Sequence, residues 1–150
     1  MKLTSLLTPI LGLFTWTASA IPLEERTDQP VQTVRLTFHG GPASYNLTFP
    51  ADGQLYKTNN DLSVSIIEAP DYAAFTFCRF ETYNEATLVS SISPAGINQI
   101  LVGPPTPITG VRCEGFCVDT WSECYRNGQF VGLCCQGYCA ANRCRPWVYP

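Results

Sequence analysis

The chain has 150 residues and a mass of 16.5 kDa, of which 45% of residues are hydrophobic and 14% charged, with 8 Cys, 12 Pro and 11 Gly. So much apolar content with so little charge excludes a disordered chain, and the length excludes two large domains. The formal net charge of −3 excludes the basic footprint that nucleic-acid binding requires.

Lys2 supplies a positive start, Leu6 to Trp16 a mostly apolar stretch, and Ala18-Ser19-Ala20 a small-residue cleavage site. Residues 1–20 therefore read as a secretory signal peptide, which takes no part in the fold. A membrane anchor is the competing reading, but the apolar stretch falls short of the ~20 residues that span a bilayer. No later segment is apolar for long enough, so the mature chain is expected to be secreted, extracellular and without a membrane span.

Residues 21–30, polar and ending in Pro30, read as a flexible mature N-terminus. Glu24-Glu25-Arg26 could alternatively be a processing or uptake signal, but one basic residue makes a poor protease site. Residues 21–111 carry four basic against nine acidic side chains, while residues 112–150 carry four against three. Neither part suits a polyanion.

From Val31 the pattern turns to period two. Val34, Leu36 and Phe38 alternate with Arg35 and Thr37, and Tyr45, Leu47 and Phe49 alternate with Asn46 and Thr48. Leu62, Val64 and Ile66 alternate with serines, and Phe75 and Phe77 follow the same rule. Such alternation predicts strands with one buried and one wetter face. Turns are predicted at Gly40-Gly41-Pro42, Pro50 to Gly53, Asn59-Asn60-Asp61, Pro70-Asp71 and Pro94-Ala95-Gly96. Further strands fit residues 87–92, 98–102 and 108–112, with no helix of convincing length. The expected fold is mainly β: an antiparallel β-sandwich or barrel-like domain over residues 31–112. Gly103-Pro104-Pro105-Thr106-Pro107 cannot donate a regular ladder of hydrogen bonds, so an edge or extended connector is predicted there.

At Cys113 the composition changes. Seven of the eight cysteines lie between Cys113 and Cys144, in a segment too small to build an adequate apolar core. An even count behind a signal peptide points to disulfides. Zinc is the alternative, through Cys113-x3-Cys117 and Cys135-x3-Cys139. With no histidine near, the oxidising route prevails and no metal or cofactor is expected. Eight cysteines allow 105 pairings, and their positions alone select none.

The framework Cys117-x6-Cys124-x9-Cys134-Cys135-x3-Cys139-x4-Cys144 resembles the inhibitor cystine knot, or knottin, family, which places a vicinal pair third and fourth of six. The resemblance implies a small disulfide-rich module over residues 113–150, with bridges Cys117–Cys135, Cys124–Cys139 and Cys134–Cys144. It leaves Cys78 and Cys113 to each other, a free buried Cys78 being the alternative. Upstream, Val34 to Phe38, Tyr45 to Gly53, Leu62 to Ser65, Phe77-Cys78 and Val102 to Pro105 are similar to small secreted cysteine-rich proteins of filamentous fungi. That likeness implies an effector-like secreted protein and no particular reaction. Hydrophobins need two vicinal cysteine pairs, and this chain has one.

Nucleophilic catalysis needs a nucleophile, a base and an orienting group. His39 is the single imidazole and reads as a turn or surface residue; each cysteine is better used in a bridge. Paired carboxylates remain open among twelve acids, although Asp52, Asp61 and Asp71 stand in turns. No catalytic residue is assigned, and the expectation is a protein without enzymatic activity. Asn46-Leu47-Thr48 is an acceptor for N-glycosylation if its face of the strand is wet, and otherwise Asn46 is an ordinary strand-polar residue.

The cysteine-rich segment also carries Phe116, Trp121, Tyr125, Phe130, Tyr138, Trp147 and Tyr149, with Arg126, Arg143 and Arg145 nearby. Exposed rings beside arginines suit a recognition surface. The plainer alternative is that Trp121, Trp147 and Tyr149 pack the module against the sheet. The leading expectation is a secreted, monomeric binding protein, effector-, toxin- or inhibitor-like. It would contact an extracellular or host protein through Trp121, Tyr125, Arg126, Gln129 and Phe130. The alternatives are a binder of chitin or another cell-wall polysaccharide through those rings, and a small hydrolase.

Overall fold

The structure, a computed structural model, describes residues 30–148. The signal peptide expected at 1–20, the expected N-terminal tail apart from Pro30, and Tyr149 with Pro150 lie outside the described residues.

The period-two segments become antiparallel strands. β1 (Thr33–Gly40) and β2 (Ala43–Pro50) pair over their whole length around Gly41-Pro42, with Gly41 at φ 64. A positive φ at this place costs glycine little, and the tight reversal depends on it. The chain then crosses to β3 (Asp52–Lys57) and returns to β4 (Val64–Glu68). After one helical turn, α1 (Ala74–Phe77), come β5 (Cys78–Thr82), β6 (Thr87–Ile92), β7 (Asn98–Thr106) and β8 (Ile108–Glu114). The strands sort into a five-stranded sheet, β2-β1-β4-β7-β6, and a three-stranded sheet, β3-β8-β5.

The two sheets bury one common core. Val34, Leu36 and Phe38 of β1, Val64 and Ile67 of β4, and Ile100 and Val102 of β7 meet Ile108, Val111 and Cys113 of β8. Phe49 of β2 packs on Tyr56 of β3 at 4.8 Å between ring centroids, joining the sheets at one side. Each such side chain taken from water contributes on the order of 1.5–3 kcal/mol, so the fully buried rows of β1, β4 and β8 dominate the stability of this part. The architecture is the expected antiparallel β fold followed by a disulfide-rich C-terminal region.

Three local expectations are corrected. The alternation of Leu62, Val64 and Ile66 predicts one shared face, but Leu62 precedes β4 and the register shift after Val64 brings Ile67, not Ile66, into the core. The alternation of Phe75 and Phe77 predicts a strand, but α1 occupies these positions and β5 starts only at Cys78. Two residues are too few to fix a period, and packing decides instead. Ala74 is buried and Phe77 lies against Tyr72 at 5.9 Å, while Phe75 faces outward. The Gly103–Pro107 run predicts an edge or connector, yet residues 103–106 belong to β7, an interior strand. The prolines are accommodated by a bulge: Val64 pairs with Thr106 and Ile66 with Leu101, so four residues of β7 face only Ser65. On the other side the last pair with β6 is Gly103 with Thr87, so Pro104 and Pro105 interrupt no ladder.

The eight cysteines form four disulfides, Cys78–Cys113, Cys117–Cys135, Cys124–Cys139 and Cys134–Cys144. Cys78 and Cys113 stand directly opposite each other on β5 and β8. Beyond β8 the backbone forms two small ribbons, β9 (Tyr125–Arg126) with β10 (Gln129–Phe130) and β11 (Tyr138–Ala140) with β12 (Arg143–Arg145). Among the described residues, no helix is long and apolar enough to cross a membrane.

Two outcomes follow from this packing. Replacing both Cys78 and Cys113 by Ala should lower the unfolding free energy by about 3–4 kcal/mol, the chain-entropy value for a loop of this length, with the sheet spectrum retained. Chemical denaturation followed by circular dichroism measures it. Tyr72 is buried, its hydroxyl donates to the Gly115 carbonyl at 2.9 Å, and burial, with the Glu114 charge second, pushes its pKa up to about 12. Because the folded state holds this proton more tightly, its contribution is complete below the ordinary tyrosine value of about 10 and disappears as pH rises from there through about 12. Tyr72→Phe should remove that alkaline loss and should cost roughly 1–3 kcal/mol at neutral pH, because the Gly115 carbonyl loses its donor.

Candidate functional site

The cysteine-rich segment has almost no apolar interior of its own. Besides Val118, its small buried cluster consists of Cys124 and Cys144, with Phe116 and Cys134 packed against them. Sulfur fills the place of aliphatic side chains, which leaves most of the aromatic rings of this segment outside. Trp121, Tyr125, Phe130, Tyr138 and Trp147 are all exposed large hydrophobics.

Four of the five sequence-predicted contact residues come together on one hairpin. Tyr125 pairs with Phe130 and Arg126 with Gln129, around Asn127-Gly128 with φ 52 and 77. Two consecutive positive φ values define the two-residue turn that matches strand twist, and Asn-Gly is its favoured sequence. The Tyr125 and Phe130 rings meet at 5.3 Å on one side of the ribbon. Arg126 is held by Glu123 at 2.9 Å but remains mostly exposed, as does Gln129. At its base the hairpin is bonded by Val131 N–H to the Cys124 carbonyl at 2.8 Å, and Cys124 is bridged to Cys139.

Trp121 sits in the preceding turn rather than on the hairpin. It has φ 72, a conformation that costs a bulky side chain energy and persists only where the surroundings enforce it. They do so here: its N–H donates to the Cys144 carbonyl at 2.8 Å, and its own carbonyl accepts from Arg143 Nη1 at 2.9 Å. The ring lies under the Arg145 guanidinium, 5.1 Å from its centroid. Trp147, by contrast, reaches the sandwich: its Nε1 donates to Asn98 Oδ1 at 2.8 Å, and its ring meets Tyr138 at 5.4 Å.

Three amide side chains fasten this segment to the sheets. Gln32 grips Cys117 twice, accepting from its N–H at 2.9 Å and donating to its carbonyl at 2.8 Å. Gln136 accepts from Asn98 N–H at 3.0 Å and donates to the Ala69 carbonyl, and Asn98 Nδ2 donates to the Cys135 carbonyl at 3.0 Å. The Cys117–Cys135 bridge is itself buried in the core shared by the two sheets.

Between the parts so joined lies an open groove of about 250 Å³. Its sandwich wall is Ala73, Ala74, Phe75 and Ile100; its other wall is Phe130, Leu133, Tyr138 and Trp147. Ser90, Asn98 and Gln99 supply a few polar groups. Apolar walls with a few hydrogen-bonding groups are the composition that ligand-binding clefts commonly have. Phe130, 54% exposed, belongs to both the hairpin and the groove.

The groove escapes a reading of the sequence because its residues come from elements that meet only through tertiary packing. The hairpin had a visible signal, the Asn127-Gly128 dipeptide between two aromatic-bearing pairs. His39 lies on β1 with Nε2 at 3.2 Å from Glu68 Oε2. Asn46 is exposed on β2. Comparisons with protein-family models, with curated proteins and with solved structures find no match for this chain.

Gly137 lines the groove and admits no side chain. It has φ 76, and a Cβ there would lie 1.7 Å from the Arg145 carbonyl oxygen. Gly137→Ala should therefore push β12 away from β11 and destabilise the protein on the order of 3 kcal/mol. Gln32→Ala should instead leave the fold intact but speed hydrogen exchange at the Cys117 amide, which loses its acceptor. Exchange mass spectrometry of the peptide containing Cys117 distinguishes the two effects.

Proposed function

We propose that this is a secreted, non-enzymatic binding protein that recognises an extracellular or host protein through its disulfide-braced hairpin and the adjoining groove. The observation that carries the reading is the position of Phe130. It places an exposed hairpin ring on the lip of an apolar groove, so that one partner surface can engage Tyr125, Arg126, Gln129 and Phe130 together. A partner of suitable chemistry presents an aliphatic or aromatic side chain to the groove and a carboxylate or carbonyl to Arg126. Trp121 flanks this surface beneath Arg145.

The physical support is rigidity. A loop that is already cross-linked loses little conformational entropy on binding, so a small surface reaches useful affinity. Four disulfides are of the kind that form in oxidising compartments, which agrees with secretion and with a leader over residues 1–20. With every cysteine bridged and His39 engaged with Glu68, the residues best suited to nucleophilic chemistry already have structural partners. The knottin-like spacing and the likeness to small secreted cysteine-rich proteins of filamentous fungi support an effector-, toxin- or inhibitor-like role.

Photo-crosslinkers placed at Gln129 and at Ser44 test the proposal against extracellular proteins of the source and of its host. Gln129 should trap a distinct partner, and Ser44, on the outer face of β2, should not. Phe130→Ala should weaken capture about tenfold or more, as loss of a central aromatic contact does. Equal trapping at both positions counts against the hairpin. Retention on insoluble chitin that disappears in Trp121→Ala replaces the protein partner with a glycan.

A further inference from the structure

The second surface of interest lies on the far side of the five-stranded sheet from the core. The sequence contains one Asn-x-Ser/Thr triplet, Asn46-Leu47-Thr48, and the fold sets it in the middle of β2. β2 is an edge strand, hydrogen-bonded on one side only, to β1. Along it the alternation is clean: Tyr45, Leu47 and Phe49 pack against the core, while Ser44, Asn46 and Thr48 are exposed. Asn46 stands directly opposite Thr37, whose hydroxyl donates to Asn46 Oδ1 at 2.8 Å. That bond holds the amide oxygen toward β1 and turns Nδ2, the nitrogen that carries a sugar, away from it.

From this geometry we infer that Asn46 is a site of N-linked glycosylation, and that the glycan stands on the outer face at the free edge of β2. The inference rests on the secretion reading above. In the transfer, Asn46 Nδ2 forms a bond to the anomeric carbon of a lipid-pyrophosphate-linked oligosaccharide. The bond from that carbon to the pyrophosphate oxygen breaks, the lipid pyrophosphate leaves with the electron pair, and Nδ2 gives up one proton. Oδ1 is untouched, so the bond from Thr37 survives in the modified protein. Folding therefore buries no part of the linkage and loses no hydrogen bond to it. A bulky hydrated group at this place also serves the fold, because an open strand edge is a template for pairing with other chains.

Cell-free translation of the full chain with endoplasmic-reticulum microsomes tests the site separately from secretion. Protection from added protease reports translocation, and a mobility shift removed by peptide-N-glycosidase reports the glycan. The protected chain should carry one such shift, absent in Asn46→Gln and in Thr48→Ala and retained in Thr48→Ser. Peptide mass spectrometry should find position 46 converted to aspartate by the glycosidase. A protected chain without the shift, or a shift that persists in Asn46→Gln, overturns the glycosylation site and leaves secretion standing. A chain that stays outside the microsomes overturns secretion and this inference with it.

Discussion

The seating of the disulfide-rich segment on the sandwich depends on the Cys117–Cys135 bridge. It is buried in the core formed by the two sheets, yet both its cysteines belong to the disulfide-rich segment. A covalent link at this place does two things at once. It closes a loop of 18 residues, worth about 3 kcal/mol in the chain-entropy picture, and it gives a segment without its own apolar interior a share in a larger one. Two of the three remaining bridges then extend outward from this anchor, through Cys134–Cys144 and Cys124–Cys139 to the base of the β9–β10 hairpin.

Orientation is a separate matter from attachment, and hydrogen bonds supply it. A single bridge would leave the segment free to rotate. Gln32, Gln136 and Asn98 prevent this by bonding backbone groups at Cys117, Ala69 and Cys135. These partners are well separated in sequence and partly buried, where an unpaired amide or carbonyl is costly, so each bond resists displacement more than its net contribution suggests. The groove exists because these clamps hold the Phe130 and Trp147 wall at a set distance from α1 and β7. Asn98 and Trp147 both line the groove and secure its walls.

The two faces of the chain therefore differ in composition. The hairpin end exposes rings and arginine on a scaffold braced by sulfur, and the outer face of β2 exposes small polar residues at an open edge. Phe49 and Tyr56 hold that edge to the three-stranded sheet from inside. The proposed glycan at Asn46 and the proposed protein partner at Phe130 would share none of the residues assigned to either.

Alternation was enough to read β1 and β2 from the sequence, because a strand with one buried face takes period two, whereas in β4 the bulge after Val64 puts Ile67 rather than Ile66 in the core. The sandwich, the disulfide-rich end and the abrupt change at Cys113 were legible for similar reasons, since each rests on composition or on spacing within one element. The bridge pairs coincide with those of the knottin-like framework, although only the tertiary structure places Cys117–Cys135 in the sandwich core. The helical turn at Ala74–Phe77, the proline bulge in β7 and the groove were settled by tertiary packing alone. A two-residue alternation carries too little information to oppose the burial of Ala74, and a bulge needs a partner strand before its extra residues have meaning. The groove, finally, is a gap between surfaces that are remote in sequence, and no local pattern encodes the distance between two walls.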